Sequence, residues 1–240
     1  MGSIRDMIER SGGSSVLTLY HGTSAIFDLP VHGIGKEDND YGSGFYMTIN
    51  YNHAAEWACA FGNSNAYVNK YELDTSRLTR LNMDELGPLC WIAEVASHRT
   101  VPHSWWAEFY DTFLEMYKPN TDFDMIQGIR ADDSYLRIVD EFFEGNFGAM
   151  EVASLFKKGD LGSQVFIKSK KAFDAIKFIE RTDVTGYSLD RVEQARAYVI
   201  SKINERRASI LRSKSMTIQF PSFSDSLDRK LVYNTGGFYE

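Results

Sequence analysis

Short β-prone runs are scattered along the chain, and helical patterns lie between them. The β-prone runs are at 16–20, 44–48, 66–73, 78–82, 123–129, 164–168 and 176–180. Apolar residues recur at helical spacing in 50–61, 83–98, 104–118, 133–145, 148–157 and 188–211. Scattered strands with an inserted helical block predict an α+β fold. No GxGxxG follows a strand, so a Rossmann dinucleotide site is not supported.

The chain divides into three parts by composition. Residues 1–15 end in Ser-Gly-Gly-Ser-Ser and predict a flexible leader, 16–182 form the predicted domain, and 183–240 form a helical extension. No apolar run approaches the about 20 residues of a membrane helix, and the start lacks the apolar region of a secretory signal. The two cysteines, Cys59 and Cys90, fit a reducing, cytoplasmic setting. The histidines lack zinc-ligand spacing, so we predict no metal.

Positive charge is concentrated near the end of the predicted extension. Residues 191–214 hold seven basic and two acidic side chains, which gives +5, whereas the whole chain carries −7 and the remainder therefore −12. The negative total argues against a dedicated nucleic-acid binder, because such proteins are usually basic. The basic run itself fits either a solvated helix face or a contact surface for RNA or an acidic partner.

His21 and Gly22 follow a β-prone run and are candidates for ligand binding. A glycine at this point allows a ligand to approach the backbone closely and to hydrogen-bond with its N–H and C=O. An amide-bearing ring such as nicotinamide requires such a donor and acceptor pair. A structural histidine with satisfied hydrogen bonds is the alternative interpretation of this pattern.

Two aromatic residues extend this candidate site. The Gly42-Ser43-Gly44 step leaves little side-chain bulk beside Tyr46, and Tyr46 and Trp57 could bracket a flat ring. Polar groups of His21, Thr23 and Tyr46 suit the hydroxyl groups of a ribose.

Several ordered segments together resemble the NAD-binding core of ADP-ribosyltransferases of the histidine–tyrosine–glutamate type. They are Tyr20-His21-Gly22-Thr23, the segment from Gly42 to Thr48, and Ala54-Ala55-Glu56-Trp57. Poly(ADP-ribose) polymerases are distantly similar, and a bacterial family of toxin-like ADP-ribosyltransferase domains is more similar. That family also has segments like Asp124 to Asp133 and Gln164 to Ala172. The resemblance covers about residues 16–182 and implies a split mixed or antiparallel sheet with an inserted helical block.

The resemblance implies a role for individual residues. His21 would hydrogen-bond the ribose on the nicotinamide side, and the Gly22 backbone would bind the carboxamide. Tyr46 would stack on the nicotinamide, with Trp57 on the other face. Lys36 could meet the pyrophosphate, although a solvated loop lysine is the other interpretation.

Gln164 takes the third position of the catalytic triad with His21 and Tyr46, and Tyr20, Thr23 and Gly44 complete the expected NAD site. The polymerases have glutamate where this chain has Gln164. A glutamine can hydrogen-bond but cannot act as a general base, so we expect single ADP-ribose transfer rather than polymer elongation. Alternatively, Gln164 supports structure and another acid, Glu56, Asp132 or Asp133, serves the acceptor.

The function implied by the resemblance is mono-ADP-ribosyl transfer from NAD to a macromolecular acceptor, either RNA or protein. The implied setting is a bacterial toxin of a toxin–antitoxin or phage-defence system, with an acidic antitoxin as a possible partner and no membrane association. NAD glycohydrolysis is one alternative. A catalytically silent module that binds NAD or RNA is another.

Overall fold

The computed structural model describes residues 15–60, 65–99, 107–119, 122–130, 133–159 and 162–214. Within these ranges the chain forms seven strands and eight helices. The strands are β1 (Val16–Thr23), β2 (Phe45–Met47), β3 (Tyr67–Asp74), β4 (Arg80–Asn82), β5 (Met125–Ile129), β6 (Ser163–Ile167) and β7 (Ile176–Asp183). The helices are α1 (Tyr51–Cys59), α2 (Met83–Leu86), α3 (Pro88–His98), α4 (Ala107–Tyr117), α5 (Asp133–Phe143), α6 (Ala149–Gly159), α7 (Lys170–Asp174) and α8 (Asp190–Lys214). The predicted α+β class is confirmed.

The strands form two sheets that meet at one point. The first sheet has the order β1-β3-β7 and is antiparallel throughout. The second has the order β2-β6-β5-β4 and is mixed, because β4 and β5 run parallel while the other pairs are antiparallel. An isolated bridge between Tyr20 and Thr48 joins β1 to the end of β2. The two sheets therefore share an edge only briefly.

The main hydrophobic core lies between the second sheet and the helices inserted between β4 and β6. The centre of this core is α3, in which six consecutive residues, Trp91 to Ala96, are buried. Phe113 of α4, Phe143 of α5 and Phe166 of β6 are fully buried in the same cluster. Burial of these side chains on all sides fixes the helices against the sheet, since each such side chain contributes roughly 1.5–3 kcal/mol.

The predicted elements agree with the observed ones except near turns. The single helix expected at 83–98 is two helices, because Gly87 adopts a φ of 88° and Pro88 begins α3. Asn50 caps α1, accepting hydrogen bonds from the backbone of Asn52 and His53. Residues 1–14 of the predicted leader and residues 215–240 of the predicted extension lie outside the described residues. None of the described helices combines the length and apolar character that crossing a bilayer requires.

The basic run at 191–214 lies on α8, and part of it pairs with carboxylates of the body. The Arg191 guanidinium holds Glu56 of α1 by two hydrogen bonds, of 2.8 and 2.5 Å. Arg207 likewise binds Glu141 of α5, a residue only 1% exposed. The apolar face of α8 packs into the main core through its buried residues, which are Val192, Val199 and Ile203. These arginines therefore hold the helix on the protein and are not simply solvated.

We expect R191Q to lower the free energy of unfolding by about 2–4 kcal/mol, measured by urea denaturation. Glu56 is 3% exposed, and a buried carboxylate that loses its cation keeps its desolvation cost. The double variant E56Q/R191Q should recover most of this loss. K202Q is the matched control, because Lys202 pairs with the exposed Glu205 and such pairs contribute about 0–1 kcal/mol. Equal losses in R191Q and K202Q would contradict the assignment.

Candidate functional site

A cleft of about 260 Å³ opens where the two sheets diverge, just beyond the bridge between Tyr20 and Thr48. Its volume is slightly below the range of about 300–1,000 Å³ that is usual for small-molecule sites. Strands β1, β2 and β6, helix α1, and the residues flanking α3 and β5 contribute its walls. The polar and aromatic residues that line it are Tyr20, His21, Asn39, Asp40, Phe45, Tyr46, Thr48, His53, Trp57, Arg99, Arg130, Ser163 and Gln164.

Two backbone edges face each other across this cleft. Tyr20 exchanges both backbone hydrogen bonds with Thr48, so the peptide groups of Tyr20 point away from β3. Peptide groups two residues apart in a strand point the same way, so the N–H and C=O of Gly22 also point into the gap. The Tyr46 peptide faces the gap from β2 by the same rule. The cleft therefore offers a backbone donor and acceptor pair at Gly22.

The His21 side chain bridges the gap and is held in one tautomer. Its Nδ1 lies 2.7 Å from the Tyr46 carbonyl oxygen, which only accepts, so Nδ1 carries the proton and donates. Burial lowers the pKa of the imidazole to about 4, although the hydrogen bond to Tyr46 opposes this shift. At neutral pH the ring is therefore uncharged, and Nε2 is a hydrogen-bond acceptor.

Tyr46 presents its ring to the cleft and uses its hydroxyl for structure. The hydroxyl donates to the Gly42 carbonyl at 2.8 Å and accepts from the Tyr41 backbone N–H at 2.9 Å. The ring packs on Phe166 of β6, with centroids 4.7 Å apart. Burial raises the pKa of this hydroxyl above its ordinary value, so it stays protonated. Tyr46 therefore fixes the loop at 41–42 and leaves a rigid aromatic surface at the site.

The glycines of the two sequence motifs are required by packing as well as by any ligand. A Cβ on Gly22 would lie 2.0 Å from the Ala54 carbonyl oxygen of α1. A Cβ on Gly44 would lie 2.4 Å from the Ile167 carbonyl oxygen of β6. Both distances are shorter than any tolerable contact. Gly22 thus brings α1 against β1, which carries the residues of α1 into the cleft.

Helix α1 supplies one wall, on which Trp57 and Arg130 lie together. His53 and Ala54 share a face of α1 with Trp57, because Trp57 follows them by four and three residues respectively. The guanidinium of Arg130, which follows β5, lies over the Trp57 ring at 4.3 Å from its centroid. The resemblance implied that Trp57 contacts the nicotinamide ring. In the structure the Arg130 guanidinium covers one face of the Trp57 ring.

Gln164 lies in the cleft at the start of β6, next to a buried acid. Its Nε2 donates to Asp40 Oδ2 at 3.0 Å and, more weakly, to the Ile129 carbonyl at 3.5 Å. Asp40 is 5% exposed, and its other oxygen accepts from Arg99 Nη2 at 2.6 Å. The cleft therefore contains a carboxylate after all, one hydrogen bond away from Gln164.

Several candidates from the sequence lie away from the cleft or outside the described residues. Lys36 is exposed in the loop between β1 and β2 and does not line the cleft. Thr23 ends β1, where its hydroxyl accepts from the Ala25 backbone. Glu56 is held by α8, so it is not available to an acceptor. Asp132 and the Asp133 side chain lie outside the described residues.

Asp124 connects the two late segments that carried part of the resemblance. Its carboxylate accepts from the Ser169 hydroxyl at 2.6 Å, the Thr79 backbone at 2.8 Å and Lys171 Nζ at 3.1 Å. Burial would raise the pKa of Asp124, but these hydrogen bonds outweigh it and lower the pKa to about 2. Asp124 therefore links the start of β5 to α7. The segments from Asp124 to Asp133 and from Gln164 to Ala172 thus contain residues that stabilise the fold.

Asp40, Arg99 and Arg130 are cleft residues that sequence reasoning missed. Asp40 lies in the long loop between β1 and β2, and loops of this length are often functional. Arg130 falls within the segment from Asp124 to Asp133 that supports the resemblance. Arg99 caps the end of α3, and no local pattern marks it.

One family comparison covers this whole site. The model of a family described as "Protein of unknown function (DUF3990)" matches residues 17–178. The chain belongs to the DUF3990 family. The match runs from β1 into β7 and includes every residue that lines the cleft, whereas α8 lies beyond it. No curated protein and no solved structure matches the chain.

The tautomer and pKa of His21 can be measured directly by nitrogen-15 NMR titration. We expect a proton on Nδ1 at neutral pH and a pKa near 4. Because the folded pKa is below the ordinary 6.5, the contribution of neutral His21 to stability is present above pH 6.5 and is lost as the pH falls toward 4. The free energy of unfolding of H21Q should therefore fall less than that of wild type over this interval. A proton on Nε2, or a pKa near 6.5, would contradict this assignment.

Proposed function

We propose that this protein is an ADP-ribosyltransferase that transfers single ADP-ribose units from NAD to a macromolecular acceptor. The observation that carries the proposal is the gap between β1 and β2. There the Gly22 peptide, the neutral imidazole of His21 and the ring of Tyr46 converge. The two sheets, joined by one bridge and separated at a cleft, also fit the split sheet that the resemblance implies.

These groups match the nicotinamide end of NAD in chemistry. A carboxamide needs one donor and one acceptor, and the Gly22 backbone offers both to the gap. The flat ring stacks on Tyr46, whose hydroxyl is anchored and whose orientation is therefore fixed before binding. A ribose hydroxyl donates to Nε2 of His21, the free acceptor of the neutral ring. The His21 and Tyr46 side chains are already held in these positions by hydrogen bonds within the protein, so little conformational entropy of these side chains is lost on binding.

Arg130 is our candidate for the diphosphate of NAD, in place of the exposed Lys36. A guanidinium binds phosphate oxygens in a bidentate manner, and stacking on Trp57 holds its plane in position. Trp57 would thereby contribute to NAD binding by orienting Arg130.

The reaction needs orientation more than strong base catalysis. The bond between the ribose C1′ and the nicotinamide nitrogen breaks, its electron pair leaves with neutral nicotinamide, and an oxocarbenium-like centre develops on the ribose. An acceptor oxygen or nitrogen then bonds to C1′ and releases its proton to solvent. Gln164 can accept a hydrogen bond from a ribose hydroxyl but cannot remove a proton, which favours single transfer over polymer growth.

The proposed setting is a bacterial toxin of a toxin–antitoxin or phage-defence system. The acceptor is RNA or protein. An acidic antitoxin is a possible partner for basic residues of α8. The pairing of Arg191 and Arg207 with carboxylates of the body lowers the charge left on that helix for an acceptor.

The first experiment incubates the protein with NAD labelled in its adenylate part, with and without a bacterial lysate. We expect nicotinamide release and label on a macromolecule that nuclease or protease digestion then identifies. H21A should reduce nicotinamide release about 100-fold, because the ribose loses a positioned partner. H32A is the matched control, since His32 is exposed and binds the Lys168 carbonyl outside the cleft.

The alternatives give different results in the same assay. Free ADP-ribose formed without lysate would identify an NAD glycohydrolase. Binding of NAD without release of nicotinamide would identify a silent binding module. Absence of both binding and release, with H21A indistinguishable from wild type in cells, would sink the proposal.

The diphosphate assignment is tested separately by comparing R130Q, R130K and K36A. We expect R130Q to raise the KM for NAD about 10- to 100-fold, because a charge-assisted contact of about 1.5–3 kcal/mol is lost. R130K should give a smaller rise, and K36A the smallest. Binding of nicotinamide alone, which lacks phosphate, should not change in R130Q. A larger effect of K36A than of R130Q would restore the original assignment to Lys36.

A further inference from the structure

The cleft carboxylate belongs to Asp40, whereas the residue at position 164 is an amide, Gln164. Asp40 and Gln164 are 124 residues apart in sequence, yet Gln164 Nε2 and Asp40 Oδ2 are 3.0 Å apart and buried. Asp40 in turn receives Arg99 Nη2 on its other oxygen at 2.6 Å. The three side chains line the cleft as one chain of hydrogen bonds that runs from cation to acid to amide.

The orientation of the Gln164 amide follows from its neighbours. The Asp40 carboxylate and the Ile129 carbonyl can only accept, so the amide nitrogen must face them. The amide oxygen is therefore the acceptor that Gln164 offers to the cleft. Donation of an amide N–H to a carboxylate also shifts electron density toward the amide oxygen, which strengthens it as an acceptor.

We propose that Asp40 is a positioning residue that holds the Gln164 oxygen toward the bound ribose and supplies the negative charge that position 164 lacks. This inference rests on the proposed function. Arg99 fixes Asp40 from the opposite side. The acid and the amide thus form one unit, and its effect on substrate is exerted through Gln164.

This arrangement also accounts for glutamine at position 164. A glutamate there would place a second carboxylate about 3 Å from Asp40, and two such groups cannot both ionise without a large penalty. Because Arg99 stabilises the Asp40 carboxylate, the shared proton would reside on the introduced glutamate. In that protonated form the glutamate has the same shape as glutamine, with a donor toward Asp40 and an acceptor toward the cleft.

The first test is the pH profile of nicotinamide release by Q164E from about pH 5 to about pH 8.5. We expect activity near that of wild type at the acid end and a loss of about 100-fold at the alkaline end, as the raised pKa of the introduced glutamate is passed. The profile must be compared with wild type, since other titratable or charged groups contact Gln164 or line the same cleft. These are Tyr20, His21, Asp40, Tyr41, Tyr46, His53, Arg99 and Arg130.

The second test adds D40N to Q164E, which exchanges acid and amide across the same hydrogen bond. The asparagine nitrogen of D40N can donate to the introduced glutamate, and its oxygen can still accept from Arg99. We expect the double variant to regain about tenfold or more over Q164E at alkaline pH and to lose the pH dependence of Q164E. D40N alone should be impaired at all pH values. D38N and Q194E are matched controls at exposed positions.

Thermal unfolding of wild type, Q164E, D40N and the double variant D40N/Q164E gives a measurement that does not depend on activity. Q164E should show a melting temperature that falls as pH rises, because a group with a raised folded pKa contributes stability below its unfolded pKa and loses it above. Adding D40N should reverse that fall. This measurement also detects a variant that fails to fold.

Distinct outcomes separate this inference from the proposed function. An active wild type in which Q164E has the wild-type pH profile, or in which the losses of D40N and Q164E simply multiply, overturns the role of Asp40 alone. A wild type that neither binds NAD nor releases nicotinamide overturns the proposed function and this inference with it.

Discussion

The pair of backbone hydrogen bonds between Tyr20 and Thr48 determines the geometry of the whole site. These two bonds, with N···O distances of 2.8 and 2.9 Å, join the two sheets at a single residue pair. Beyond that pair the strands separate. A continuous ladder would have consumed the peptide groups of Gly22 and Tyr46. Because the ladder stops, those groups face a gap, and the His21 side chain crosses it. The cleft is thus an interruption between the two sheets, and this interruption explains how backbone polar groups without a ladder partner come to line it.

The loop from Asn39 to Gly44 gains its order from the residues around it. It has no regular structure, yet the Tyr46 hydroxyl binds it at Tyr41 and Gly42, and Tyr41 donates to the Ile129 carbonyl at 3.1 Å. Trp91 of α3 donates to the same carbonyl at 3.0 Å. Helix α3 therefore helps to position Asp40 in this loop, through Trp91 and through Arg99 at its end, although α3 contributes mainly core residues. A change in the packing of α3 would reach the cleft through Ile129.

Sequence reasoning located the strands, the helices and the aromatic part of the site, because those depend on periodicity and short motifs. His21, Tyr46, Gly44 and Gln164 were expected to lie together, and they do line one cleft. Asp40, Arg99 and Arg130 could not be found in this way, since each lies outside regular elements and reaches the cleft through pairing of strands distant in sequence. The sequence-based explanation of Gly22, close approach of a ligand to the backbone, was also incomplete. Contact between β1 and α1 requires a glycine there, whatever the ligand.

Charge counted along the sequence gives a misleading picture of what faces a ligand. The basic run near the end of the chain is offset in part by Glu56 and Glu141, so its formal charge overstates the attraction of α8 for an acidic partner. Two guanidinium groups and one carboxylate, from residues far apart in sequence, instead line the cleft, so its formally charged side chains sum to +1 in a protein with a net charge of −7. Local field in a partly buried cleft exceeds the screened field of distant surface carboxylates. An anionic ligand can therefore enter this cleft despite the negative total. For the proposed transfer reaction, the choice of acceptor would depend on the surface that surrounds the cleft.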